Sequence, residues 1–205
     1  MQRIDLKNAK LSPNFIGSWM MEPDSLCDSL IDYFESHKEK QKRGTTAGGL
    51  NLDAKTSTDI GISPNEINLP GNEVFSQYFH HLFGCHKDYI DQWPFFEEFG
   101  GNLEIGQFVL MRYLSGQHYQ KLHTERGGID TLHRVLAWMT YLNDVDEDVG
   151  GGTHFGHYDI TVQPKKGLTL IWPAEWTHAH KGRVINSGSK YLICLLYTSP
   201  SPRDS

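Results

Sequence analysis

The apolar residues of this chain keep two rhythms, helical in the first half and alternating in the second. Pro23-Asp24-Ser25 opens the first helical stretch. Proline is tolerated in a first helical turn, and Asp or Ser can cap the free N–H groups there. Leu26, Leu30, Ile31 and Phe34 follow on one face. A longer helix is expected over residues 72–93, where Val74, Phe75, Tyr78, Phe79, Leu82, Phe83, Tyr89, Ile90 and Trp93 keep a 3.6-residue period. Residues 1–22 read as mostly extended, with Phe15, Ile16 and Trp19 as packing candidates. Lys38 to Arg43 is a polar, basic run expected in a solvated helix end and loop. Residues 44–71 are broken by Gly44, Gly48, Gly49, Pro64, Pro70 and Gly71 into irregular structure. A loop of that length is either an ordered surface loop or a lid.

From residue 102 the period becomes two. Candidate strands are 102–114, 133–143, 157–163, 168–172 and 183–193, separated by turns rich in Gly and Pro. Short strands punctuated in this way predict a barrel or sandwich. Two helices ahead of an all-β half predict an α+β fold with the helices packed on one face of a sheet.

A length of 205 residues suits one domain. A net charge of -6 argues against a nucleic-acid surface. No apolar run approaches the ~20 residues of a membrane span, and the first residues lack the pattern of a signal peptide. Neither nucleic acid nor membrane is therefore expected as a partner, and nothing signals an oligomeric state. Cys27, Cys85 and Cys194 have neither metal-like nor disulfide-framework spacing, which fits a reducing, cytoplasmic setting. Histidine is abundant, at eleven residues.

The candidate chemistry lies in the β half. His123-Thr124-Glu125 places two ligand-type side chains at i and i+2, on one face of a strand. A third ligand must come from elsewhere, and His178 and His180 follow a strand ending in Trp172-Pro173. Two neutral imidazoles and one carboxylate form a facial triad with open positions, the arrangement of non-haem Fe(II) oxygenases. A closed four-ligand site would instead indicate structural zinc.

His-x-Glu alone is a weak pattern, and its surroundings add weight. They are Tyr113-x-x-Gly116-x-x-Tyr119, His123-x-Glu125, and Arg134 with Tyr141-Leu142-Asn143-Asp144. Gly151-Gly152-Thr153-x-Phe155, Val162-x-Pro164-Lys165-x-Gly167, and His180 with Gly188-x-Lys190-Tyr191 complete the set. In this order and spacing, residues 103–193 resemble the catalytic domain of 2-oxoglutarate/Fe(II)-dependent oxygenases, in the prolyl 4-hydroxylase-like branch.

The resemblance implies a double-stranded β-helix, or jelly roll. Residues 1–101 would form a helical support and 102–193 the β-core. It implies Fe(II), 2-oxoglutarate and dioxygen, with ascorbate as an auxiliary reductant in some members. His123 and Glu125 take the places of the proximal ligands, where Asp is usual and the longer Glu alters the geometry. His180 is preferred to His178 as distal ligand, because Lys190 stands ten residues after it. Lys190 would pair with the distal carboxylate of 2-oxoglutarate, helped by the Tyr141 hydroxyl. Tyr113 would sit near the metal-bound end of the cosubstrate. The implied reaction couples oxidative decarboxylation of 2-oxoglutarate to succinate with hydroxylation of an unactivated C–H bond.

Trp172, Pro173 and Trp176 are expected to wall the metal pocket. Arg126 is a candidate substrate contact, and Arg134 either an ion-pair partner or part of the entrance. His154 and His157 are expected at the surface or in turns, and residues 150–152 in a tight turn. The substrate is a small molecule or a peptidyl residue, with the loops at 44–71 and 126–132 expected to select it. Two alternatives are a non-catalytic jelly-roll binding module and a cupin-like metalloenzyme that uses no 2-oxoglutarate.

Residues 194–204, CLLYTSPSPRD, match one reading frame of a transposase sequencing adaptor at all eleven positions. Residues 194–205 are therefore expected to be a non-native tail. On that reading the native sequence breaks off at Ile193, three residues past Lys190, inside the last strand.

Overall fold

Alternating side chains along the strand Arg134–Tyr141 divide this molecule into two cores. The computed structural model describes residues 2–3, 14–46, 48–100 and 103–199. In it, Leu136 and Trp138 face one core, and Ala137, Met139 and Tyr141 the other. The first half of the chain holds β1 (Gln2–Arg3), β2 (Gly17–Met20), α1 (Ser25–Ser36), β3 (Lys42–Arg43), β4 (Thr58–Ile62), α2 (Glu73–Gln92) and α3 (Phe95–Gly100). Then follow β5 (Glu104–Ile105), β6 (Phe108–Leu114), β7 (Tyr119–His123) and β8 (Arg134–Tyr141). The last five strands are β9 (Thr153–Phe155), β10 (Ile160–Val162), β11 (Leu168–Pro173), β12 (His180–Gly182) and β13 (Ser189–Thr198).

A nine-stranded sheet runs β1-β2-β11-β8-β13-β6-β4-β3, with β5 beside β13. A four-stranded sheet runs β10-β9-β12-β7. The first core packs α1 and α2 against the large sheet. α1 buries Cys27, Leu30, Tyr33 and Phe34, and α2 buries Phe75, Tyr78, Phe79, Leu82, Cys85 and Tyr89. The second core lies between the sheets, where Ala137, Met139, Tyr141, Leu170, Trp172 and Leu192 meet Phe155, Ile160 and Val162. This is the expected jelly roll with helices on one sheet.

Several details depart from expectation. Asp24 makes no side-chain cap on α1; Asp24 and Asp28 instead face Lys166, at 3.8 and 2.8 Å. Phe83 points to solvent from the outer face of α2. Val135 leaves the face of Ala137 and packs toward the helical core. The cause is a bulge: Leu136 pairs with Tyr197 and Arg134 with Thr198, so Val135 is the extra residue. The expected strand 157–163 is only the second half of a hairpin, because β9 precedes it and pairs with β10. The expected strand 183–193 is broken by a loop ending at Gly188, whose φ of +71° suits glycine. Asn102 lies outside the described residues. β13 does not stop at Ile193; it stays paired with β8 through Thr198, so the adaptor-like segment completes it.

Candidate active site

The neighbouring antiparallel strands β7 and β12 set His123 directly opposite His180, with ring centres 4.4 Å apart. Glu125 follows in a bend just past the end of β7, not on the strand as expected. Its Oε1 lies 3.7 Å from the Nε2 of each histidine. One donor atom from each of the three residues falls within 4.8 Å of the others, a group that can hold a metal ion.

Backbone carbonyls set both tautomers. His123 Nδ1 lies 2.8 Å from the Lys121 carbonyl, and His180 Nδ1 lies 3.0 Å from the His178 carbonyl. A carbonyl oxygen can only accept, so both Nδ1 atoms carry the proton and both Nε2 lone pairs are free. Burial lowers the pKa of His123 and pushes that of His180 down to about 3. Both rings are thus held neutral, the form that binds metal.

Glu125 is fixed through its neighbours. Thr124 donates its hydroxyl to the Ala174 carbonyl at 2.7 Å, and the Arg126 amide donates to the same oxygen at 3.0 Å. Arg134 Nη1 donates to the Glu125 carbonyl at 3.0 Å. Trp172 stands edge-on to the His180 ring at 5.1 Å, with Phe155 at 5.6 Å.

A second polar feature lies deeper in the same core. Lys190 is 2 % exposed and donates to the Gly151 carbonyl at 2.8 Å. Gly150 and Gly151 have φ of +87° and +72°, so this turn requires glycine to present that carbonyl. Burial pushes the Lys190 pKa down to about 8. No carboxylate pairs with it among the described residues, and a buried cation without an anion is costly. Tyr141 is fully buried nearby and donates its hydroxyl to Thr153 at 2.6 Å. No hydrogen bond joins it to Lys190 among the described residues. Tyr113 is buried beneath Lys190 and donates its hydroxyl to Met111 Sδ at 3.5 Å.

Residues 108–198 match the sequence profile of the family described as the 2OG-Fe(II) oxygenase superfamily. This stretch is a 2OG-Fe(II) oxygenase domain. Procollagen-lysine,2-oxoglutarate 5-dioxygenase 2 from Homo sapiens is 24 % identical over 175 residues, which is 82 % of this chain and 21 % of that protein. The Mus musculus protein of the same name is 24 % identical over 172 residues, 81 % of this chain and 21 % of that one. The chain thus spans about a fifth of the length of these relatives. Among solved structures, a Pseudomonas putida prolyl-4-hydroxylase superposes with a TM-score of 0.70 at 15 % identity, covering 93 % of this chain and 96 % of its own. A viral collagen prolyl hydroxylase from Paramecium Bursaria Chlorella virus-1 gives 0.66 at 17 %, covering 93 % and 98 %. A Trichoplax adhaerens prolyl hydroxylase, solved with a hypoxia inducible factor peptide fragment, gives 0.69 at 16 %, covering 92 % and 86 %.

Other expected residues of the oxygenase domain fall as follows. His178 turns away from the cluster, its Nε2 2.9 Å from the Asn14 carbonyl and its ring against Tyr158. It ties down the start of the described chain, which leaves His180 beside Glu125. Trp176 does not wall the pocket; it is 66 % exposed and meets His157 edge-on. The short helical turn at Trp176–His178 carries its side chain outward. Arg126 is engaged by Glu175 in a close, partly exposed ion pair. His157 is exposed in a turn, as expected, whereas His154 is half-buried within β9.

The sequence pattern assigned no role to three residues near the site, of which Tyr119 and Thr153 lie in the oxygenase domain and Lys55 before it. Tyr119 stacks flat on His123, with centroids 3.8 Å apart and planes at 10°. Lys55 is 3 % exposed, pairs with Asp59 at 2.7 Å and lies 5.6 Å from the Tyr119 ring centre. Thr153 receives the Tyr141 hydroxyl. The flat pairing of Tyr119 with His123 had a signal, since the two are four residues apart on one strand. The approach of Lys55 had none, because it depends on how the 44–71 segment returns to β7. That segment is ordered there: the Thr56 amide donates to the His118 carbonyl at 2.8 Å, and Gln120 Nε2 to the Asp53 carbonyl at 3.2 Å.

Proposed function

We propose that this chain is an Fe(II)- and 2-oxoglutarate-dependent dioxygenase that hydroxylates an unactivated C–H bond of a peptidyl substrate. The observation that carries this reading is the pairing of two complementary polar features on one core. Two free imidazole nitrogens and a carboxylate meet in one, and a buried lysine without an anion forms the other. On β12, His180 pairs with Phe155 and Gly182 with Thr153. The triad and the Tyr141–Thr153 pair are therefore offset by about two strand residues, roughly 7 Å. That offset is of the length of a short dicarboxylate with one end on a metal and the other beside Tyr141 and Thr153.

His123, Glu125 and His180 would hold Fe(II), and Lys190 would neutralise the far carboxylate of 2-oxoglutarate. Tyr141 can turn its hydroxyl from Thr153 to help, and Tyr113 supports Lys190 from below. Bound Fe(II) supplies the dioxygen chemistry that couples oxidation of 2-oxoglutarate to succinate and carbon dioxide with hydroxylation of substrate. Trp172 and Phe155 keep that side of the cluster dry. A degenerate binding module would have lost a ligand or the cation, and all are retained. A metalloenzyme without 2-oxoglutarate would leave the burial of Lys190 unexplained.

A peptidyl substrate is supported by the exposed apolar side chains Leu122, Ile129, Leu132 and Trp176, which lie on β7, on the segment after Glu125 and on the turn before His180. The test is succinate formation that requires both iron and 2-oxoglutarate, followed by a panel of proline- and lysine-containing peptides read by mass spectrometry. His123→Ala and His180→Ala should each abolish metal binding and turnover; unchanged turnover in either overturns the ligand set.

A further inference from the structure

Glu125 carries its two carboxylate oxygens to different partners. Oε1 faces the two histidines at 3.7 Å, and Oε2 faces Arg134 Nη1 at 3.8 Å. The same nitrogen of Arg134 donates to the Glu125 backbone carbonyl at 3.0 Å. We propose that Arg134 is a positioning residue that draws the outer oxygen of Glu125 toward its charge, so that this side chain offers a metal one oxygen and not two. The inference rests on the proposed metal reading.

The need for such a residue follows from where Glu125 stands. It lies past the end of β7, where no ladder hydrogen bond holds it, and its side chain has three rotatable bonds to order. Thr124 and Arg126 fix the backbone on either side by way of Ala174, but neither touches the carboxylate. Among the described residues, Arg134 approaches both the backbone and the side chain of Glu125. A guanidinium is suited to this because its donors lie in a rigid fork. Arg134 and Glu125 are 26 % and 24 % exposed, so their ion pair contributes little to folding. Its consequence is directional. With Oε2 turned toward Arg134, Glu125 would bind through Oε1 alone, and the metal would keep a position that a second oxygen would fill. That position is needed if a chelating cosubstrate and a third group are to bind together.

Mn(II) titrated into the full chain tests this, read by its affinity and by the water-proton relaxation that counts exchanging waters on the bound ion. Arg134→Gln should lower Mn(II) affinity by about 10- to 100-fold, as expected for a group that orients a metal ligand. It should also remove one exchanging water, because the freed Oε2 takes its place. Arg134→Lys, which keeps the charge without the fork, should fall between. A folded Arg134→Gln protein with the wild-type water count overturns the proposal, whether or not its affinity changes. If that variant does not fold, Arg134→Lys decides by the same water count. A wild-type chain that binds no Mn(II), or a Glu125→Ala variant that binds it unchanged, overturns the metal reading itself.

Discussion

Lys190 sits face-on over Tyr113, its Nζ 4.6 Å from the ring centre, and the two are direct partners across β13 and β6. The ring face stabilises the ammonium by roughly 0.5–2 kcal/mol but does not neutralise it. With its pKa pushed down to about 8 by burial, Lys190 begins to lose its proton just above neutral pH. The protonated form is the one that attracts a carboxylate. Affinity for 2-oxoglutarate should therefore hold below pH 8 and weaken above it, approaching tenfold per pH unit. Calorimetric titration with Mn(II) in place of iron measures this, and a flat profile from pH 7 to 9.5 would count against Lys190 as the anion partner.

The same lysine should shape stability in the opposite sense. Its pKa is lower in the fold than the ordinary 10.5, so between about 8 and 10.5 the unfolded chain binds more protons. Its contribution to stability is thus least favourable below pH 8 and improves as pH rises through that window. Lys190→Met should remove this improvement, raise the melting temperature at pH 7 and abolish 2-oxoglutarate binding. A variant that is less stable at pH 7 would show that the ammonium is satisfied in ways the Gly151 carbonyl and the Tyr113 ring do not explain.

Acid should act on the metal cluster. His180 has its pKa pushed from 6.5 to about 3, so the unfolded chain binds more protons between those values. Stability contributed by neutral His180 is complete above about pH 6.5 and is lost as pH falls toward 3, by at most roughly 1.4 kcal/mol per pH unit. His180→Gln should flatten that slope in urea titrations of the metal-free protein. An unchanged slope would assign the acid sensitivity to other groups.

The candidate ligands were legible because their pattern is local. His123 and Glu125 stand two apart, and the ten-residue step between His180 and Lys190 singled out His180 from His178. The two helices were legible because their apolar period extends over several turns. The relationships that tune the site were not, because each joins residues distant in sequence. Lys55 reaches Tyr119 only once the 44–71 segment has folded back along β7. The hold of Arg134 on Glu125 depends on β8 starting beside the bend after β7. Trp172 and Trp176 read alike in sequence, yet one ends a buried strand and the other begins an exposed turn. Strand breaks were missed where a glycine turn interrupts an apolar pattern, as at Gly188.

The Tyr141–Thr153 hydrogen bond separates folding from cosubstrate binding. At 2.6 Å between two buried groups, it should stabilise the fold by about 1 kcal/mol. Tyr141→Phe should cost that much in chemical denaturation, and should also weaken 2-oxoglutarate binding if the hydroxyl turns toward the far carboxylate. Thr153→Val removes the partner but leaves that hydroxyl. It should cost a similar amount of stability while keeping the cosubstrate affinity lost in Tyr141→Phe. Equal affinity losses in both variants would make Tyr141 a packing residue.

The far end of β13 carries the opposite situation. Tyr197 is 2 % exposed, its ring lies 4.4 Å from that of His86, and its hydroxyl has no hydrogen-bond partner among the described residues. His86 Nε2 is buried without a partner as well. Tyr197 belongs to the segment that reads as adaptor. Its ring fills the helical core, while its hydroxyl meets nothing polar, as expected of a side chain that fits by shape alone. A buried donor left unpaired costs about 1–3 kcal/mol. Tyr197→Phe keeps the ring and removes the orphaned group, so the melting temperature should stay level or rise. Tyr197→Ala removes the ring as well and should cost roughly 3–5 kcal/mol through the cavity it leaves. A fall in melting temperature on Tyr197→Phe would mean that the hydroxyl is satisfied after all, and that this end of the strand is matched to its surroundings.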